Sequence, residues 1–125
     1  CFKAISIVHQ SFNLCDVDHF FPHELNRKNI LLNLDGVWNL VLACQDCNRG
    51  INGKFANVPS LKLLERLSQR NEYYISSHDP LKETIIAQTG KTTETRRQFL
   101  QSQFNSAKIY AIHEWRPKPQ AEEAF

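Results

Sequence analysis

The pair Cys44-Gln45-Asp46-Cys47 follows directly on the apolar run Val37-Trp38-Asn39-Leu40-Val41-Leu42-Ala43, and it constrains this chain more than any other feature. Two cysteines at that spacing mark a metal knuckle or a redox dithiol. A thioredoxin-like dithiol follows a strand and opens a helix in a βαβ context. The flanks here carry different chemistry. The remaining cysteines are Cys1 and Cys15; an even count in a secreted chain of this size would suggest disulfides, but nothing in the sequence indicates secretion. With 125 residues, 42% of them hydrophobic and only four glycine, the chain is long enough for one domain or a little more and too apolar for disorder or collagen. No apolar run approaches the roughly 18 residues of a membrane-spanning helix. No signal or transit peptide is visible, and the absence of methionine leads us to expect a fragment of a longer protein.

Charge excludes a polycation. Fifteen Lys and Arg against thirteen Asp and Glu leave +2. The pI of about 8.4 falls below the basic footprint usual for nucleic-acid binders. Residues 1–59 carry five basic and five acidic side chains, and residues 60–125 carry ten and eight. Any nucleic-acid binding must therefore come from a local site.

Along the chain, Ala4 to Val8 alternates as a short extended segment would, and the run over 12–20, stopped by Pro22, is the best strand signal. Residues 23–36 read as loop, with Asn26, Asn29, Asn33 and Asp35-Gly36 as turn chemistry. The apolar run after Gly36 reads as a turn leading into a second strand, and a short helix is expected to start within 44–50. Beyond Pro59 the pattern is helical. Ser60 is a plausible cap ahead of Leu61, Leu64 and Leu67 on one face. Asp79-Pro80 reads as cap and first helical position of a second helix, which Gly90 ends. Thr92 or Thr93 opens a third, in which Leu100, Phe104, Ala107 and Ala111 form a packing stripe and Arg96, Arg97 and Lys108 read as solvated surface. The tail over 116–125 is expected to be flexible.

The chemistry gathers around Asp18-His19, Asn39 and Asn48. A neutral histidine can take a proton from water near neutrality. A carboxylate and an amide oxygen are hard ligands suited to Mg²⁺ or Mn²⁺. Successive strand residues point to opposite faces, so Asp18 and His19 can share a site only if the strand ends or bends there.

The segments Asp18-His19-Phe20-Phe21-Pro22, Trp38-Asn39-Leu40-Val41-Leu42 and Cys44-Gln45-Asp46-Cys47-Asn48-Arg49 resemble, in order and approximate spacing, the HNH endonuclease family. Asp16 to His19 and Asn48-Arg49-Gly50 also look like the HNH domains of CRISPR nucleases and related defence systems. The resemblance covers roughly residues 1–55. It implies an α+β fold with a ββα-metal motif and a zinc knuckle, followed by a mainly helical part. The corresponding division is a nuclease core over 1–58, a helical extension packing on or linking it over 59–115, and the tail.

By the same resemblance, His19 is the general base, Asp18 and Asn48 hold a catalytic Mg²⁺ or Mn²⁺, and Asn39 braces the loop and orients the histidine backbone. Arg49, from its charge alone, is a candidate phosphate contact. Cys44 and Cys47 would form one half of a structural Zn²⁺ site. Cys1 looks like the surviving half of the other knuckle, with Cys15 and His9 as further candidates for the set. The implied activity is metal-dependent hydrolysis of phosphodiester bonds in double- or single-stranded DNA, in a prokaryotic or phage cytoplasm and as part of a larger protein or effector complex. Two alternatives compete with it. One is a zinc-stapled nucleic-acid-binding module with a degenerate site, and the other is a partner-docking domain. His23 is the one other histidine near enough in sequence to support the site. Trp38 reads as core, and packing is favoured over base stacking for Tyr73-Tyr74.

Overall fold

Where polar and apolar residues alternate ahead of a proline, the chain extends, and the first strand runs Cys15–His19 (β1). A computed structural model describes residues 8, 14–28, 33–49, 53–54, 57–110 and 114–115. The extended segment expected over 4–8 and the tail over 116–125 lie outside the described residues, apart from Val8. β1 pairs antiparallel with Leu40–Cys44 (β2), with Asp16 opposite Ala43, Asp18 opposite Val41 and His19 opposite Leu40. Residues 23–36, read as loop, contain a 3-10 helix at His23–Lys28. A second 3-10 turn, Val37–Asn39, leads into β2. β2 runs straight into the short helix Gln45–Arg49 (α1), which packs on both strands.

Three longer helices follow: Leu61–Ser76 (α2), Lys82–Thr89 (α3) and Thr93–Tyr110 (α4). Val58–Pro59 (β3) and Glu114–Trp115 (β4) form a two-residue parallel pair. The fold is α+β, with four helices and a small antiparallel sheet among the described residues. No helix among them is long and apolar enough to cross a membrane.

Several boundaries differ from the sequence expectation for physical reasons. Ser60 precedes α2, but its side chain makes no capping bond; its carbonyl accepts from the Leu63 and Leu64 amides instead. Leu64 and Leu67 are buried while Leu61, in the first turn, is exposed, and Asn71 continues the buried stripe. α3 starts two residues after Pro80, since Asp79 Oδ1 accepts from the Leu81 amide at 2.9 Å and closes a separate turn first. Arg96 is buried rather than solvated. Its Nε and Nη2 reach the Glu72 carboxylate at 2.6 and 2.9 Å, so α4 is pinned to α2 by a bidentate pair. That partner raises the Arg96 pKa above its ordinary value.

One core joins the hairpin to the helices. Trp38 and Phe21 are fully buried against Leu64, Leu67, Leu100 and Phe104, and the Trp38 and Phe99 rings meet edge to face at 4.9 Å. Leu100, Phe104 and Ala107 of the α4 stripe are buried as expected, and Ala111 lies outside the described residues. Trp38 Nε1 donates to Asn33 O at 2.9 Å, and Asn33 takes the left-handed conformation (φ 55°) that asparagine tolerates. Gly36 is required by closeness, not by conformation. A Cβ there would lie 2.7 Å from Trp38 Cδ1 and 2.8 Å from Gln88 Oε1. Gly36→Ala should therefore destabilise the fold by about 1–3 kcal/mol in urea unfolding, as overpacking does. Unchanged stability would show that Trp38 can shift freely.

Candidate functional site

Strand alternation sorts the expected site residues onto two faces. Asp16 and Asp18 sit on the face of β1 that carries Val41 and Ala43 opposite them, and α1 packs on this hairpin. Both carboxylates are largely shielded, with 17% and 14% of their side chains exposed. From α1, Asn48 Nδ2 donates to Asp16 Oδ2 at 3.0 Å, and Arg49 Nε reaches the same oxygen at 3.2 Å. Asn48 Oδ1 is buried and has no hydrogen-bond partner among the described residues. Asp18 and Asn48 open onto one cavity of about 330 Å³, bounded across from the hairpin by α2.

His19 goes the other way. As the last residue of β1 it shares its face with Val17, and its Nε2 lies 3.0 Å from Asp35 Oδ1. His23 stands 3.9 Å from that carboxylate, with its ring centroid 5.4 Å from that of His19. His19 is not among the residues around the cavity. A carboxylate holding Nε2–H selects the tautomer whose free lone pair is on Nδ1, the form that accepts a proton.

Asn39 is wholly buried and serves the backbone. Its Oδ1 accepts from the Phe21 amide at 2.8 Å, and its Nδ2 donates to Phe21 O at 3.1 Å and Leu34 O at 2.8 Å. The Asn39 carbonyl also accepts from the Phe20 amide at 2.7 Å. The chain just after His19 is thus tied to the entry of β2. Removing the amide strands one donor and two acceptors in the core, so Asn39→Ala should cost at least about 3 kcal/mol in chemical denaturation. A cost below about 1 kcal/mol would mean that water or relaxed backbone replaces those bonds.

Three site residues carried no usable sequence signal. Lys54 Nζ lies 2.8 Å from Asp18 Oδ2, the pair being almost wholly buried at 7% and 14%. Its backbone amide donates to Cys47 O, which anchors it beneath α1. Arg70 of α2 donates to Leu40 O at 2.6 Å and Trp38 O at 2.9 Å, and its guanidinium lies over the Tyr74 ring at 5.3 Å. In the sequence, Asp35 reads only as turn chemistry. For Asp16 a signal existed: two positions before Asp18, alternation alone puts it on the same face.

Burial pulls the Lys54 pKa below its ordinary 10.5, only partly offset by Asp18. Burial likewise lowers the pKa of Arg70, with Tyr74 opposing. Because folded Lys54 releases its proton more readily than unfolded Lys54, the unfolded chain binds more protons between the lowered value and 10.5. Stability should therefore rise with pH across that alkaline window and lose the contribution below it. In urea titrations, the stability of the wild type relative to Lys54→Met should increase as pH climbs towards 10.5; a flat difference would refute the burial.

The thiols are partly assembled. Cys15 and Cys44 are directly paired across the hairpin, and the Cys47 amide donates to Cys44 Sγ at 3.3 Å. All three are free. Among the described residues no three His, Cys, Asp or Glu side chains are gathered closely enough to hold a metal ion. Cys1 and His9 lie outside the described residues. A hard divalent cation would find two oxygen donors on residues that line one cavity, the Asp18 carboxylate and the unpartnered Asn48 Oδ1, with Lys54 already 2.8 Å from Asp18 Oδ2; Mg²⁺ needs few protein ligands because it keeps several waters.

No family model, curated protein or solved structure matches this chain.

Proposed function

We propose that this protein is a metal-dependent endonuclease domain of the HNH type, hydrolysing phosphodiester bonds in DNA as part of a larger protein or complex. The observation that carries the reading is the buried Asn48 Oδ1, without a hydrogen-bond partner among the described residues, beside the Asp18 carboxylate in one cavity. A buried amide oxygen left bare costs about 1–3 kcal/mol unless something binds it. Asp18 and Asn48 would hold a divalent cation, and Asp16 aims Asn48 by taking its Nδ2–H. When bound, Mg²⁺ or Mn²⁺ supplies charge neutralisation at the scissile phosphate and the leaving oxygen.

His19, with Nε2 against Asp35, would take the proton of the attacking water on Nδ1. Asp35 also stabilises the imidazolium that results. The scissile phosphate would lie over the end of β1, where the strand stops and the chain bends at Phe20, and would have to reach both the Asp18 and the His19 face from there. Asn39 contributes by fixing that bend through the Phe21 backbone. Arg49, more than half exposed beside Asp16, would meet a flanking phosphate. Cys44 and Cys47, with Cys1 or Cys15, would take structural Zn²⁺, and a prokaryotic or phage cytoplasm is the setting that goes with the family.

A second reading has its own support. Lys54 already neutralises Asp18, the arrangement expected if the site binds nucleic acid without cutting it. Mg²⁺-dependent cleavage of plasmid and single-stranded DNA separates the two. His19→Ala should lower the rate by about 10²–10⁴-fold while DNA binding is retained. Absence of cutting by the wild type with every divalent metal would leave the binding module standing.

A further inference from the structure

The cavity has a second wall that hydrolysis does not use. Leu63, Arg66, Leu67, Arg70 and Tyr74 border it from α2, at the i, i+3, i+4, i+7, i+11 spacing of a single helix face. Leu67 is buried, and Arg66 is exposed at the rim. Arg70 is immobilised by the Leu40 and Trp38 carbonyls and stacked on Tyr74, so the two planar groups form a fixed platform. Three cations, Lys54, Arg66 and Arg70, border the cavity against one carboxylate, Asp18. In a chain of net charge +2 this is a local concentration of positive charge. The apolar lining and the aromatic ring suit a base, and the rim cation suits a phosphate.

Size decides the form of the ligand. At about 330 Å³ the cavity stands at the lower end of ligand pockets, roughly 300–1,000 Å³. That volume suits one nucleotide better than a stacked base pair. A nucleotide enters such a pocket only from a single strand or after leaving its duplex, and unstacking costs least where the strand is already single.

We infer that the cleft between the β1–β2 hairpin and α2 is a binding site for one unstacked nucleotide of a single-stranded nucleic acid, with its base against Tyr74 and Leu67 and its phosphate at Arg66. This rests on the nuclease reading for what lies at Asp18 and Asn48, but not for the binding itself. It makes a single strand the preferred substrate.

The test is fluorescence anisotropy with a labelled oligonucleotide about 12 nucleotides long, single or annealed to its complement, with no Mg²⁺ or Mn²⁺ added so that nothing is cut, and with no chelator so that any zinc at Cys44 and Cys47 is kept. The single strand should bind at least about tenfold more tightly than the duplex. Tyr74→Ala should weaken single-strand binding by roughly 5- to 100-fold and Tyr74→Phe should restore it, as expected for a stacking contact. Arg66→Gln, at an exposed position and with its folding checked by urea unfolding, should reduce the slope of log affinity against log salt by about 0.7. Equal binding of duplex, no binding of the single strand, or wild-type affinity and salt slope in Arg66→Gln would each overturn the inference. If the single strand binds through Arg66 and Tyr74 but Mg²⁺ elicits no cutting, hydrolysis falls and the cleft stands. If cutting is normal but duplex binds as well as single strand, the cleft falls alone.

Discussion

The amide of Asn39 is the contact on which the rest of the site depends. It makes three hydrogen bonds inside a buried core, where each unmet partner would be expensive. Those bonds set the bend after His19, and the bend sets where both faces of β1 end. Trp38, packed between the hairpin and α4, supplies the apolar surroundings that make the amide bonds strong.

Around that anchor the hairpin separates its charges. The inner face collects Asp16, Asp18, Asn48 and Lys54, whereas the outer face carries His19 and Asp35. Each group that would take part in chemistry is oriented by a neighbour of complementary charge or hydrogen-bonding capacity. Asp16 directs Asn48, Asp35 directs His19, and Lys54 compensates Asp18. Each of the two shielded carboxylates has its own partner, Asn48 and Arg49 at Asp16 and Lys54 at Asp18.

How far the sequence disclosed this differs by residue. Period-2 alternation before Pro22, the turn at Asp35-Gly36 and the leucine spacing after Ser60 are local, and β1, the turn before β2 and α2 follow from them. Trp38 as core was readable from its size and its apolar neighbours. The environment of Asp18 was not, because Lys54 is far from it in sequence and no local pattern says that a lysine will be buried. Arg96 misled for the same reason: on a helix surface it is indistinguishable from Arg97 until Glu72 of another helix meets it. Tyr73 and Tyr74 looked alike in sequence, but Tyr73 is exposed whereas Tyr74 is partly covered under Arg70. Tertiary pairing carried that information, and spacing did not.

Arg70 has a consequence for how the chain can be divided. Its guanidinium is satisfied by carbonyls at the entry to β2, so α2 contributes donors that the hairpin lacks. Leu64, Leu67, Leu100 and Phe104 then close over Trp38 in the same core. The motif-bearing segment and the helices thus share one core and one set of hydrogen bonds. A cut near residue 58 yields two pieces, each exposing half of a shared interior. The smallest portable version of the site therefore extends through α4.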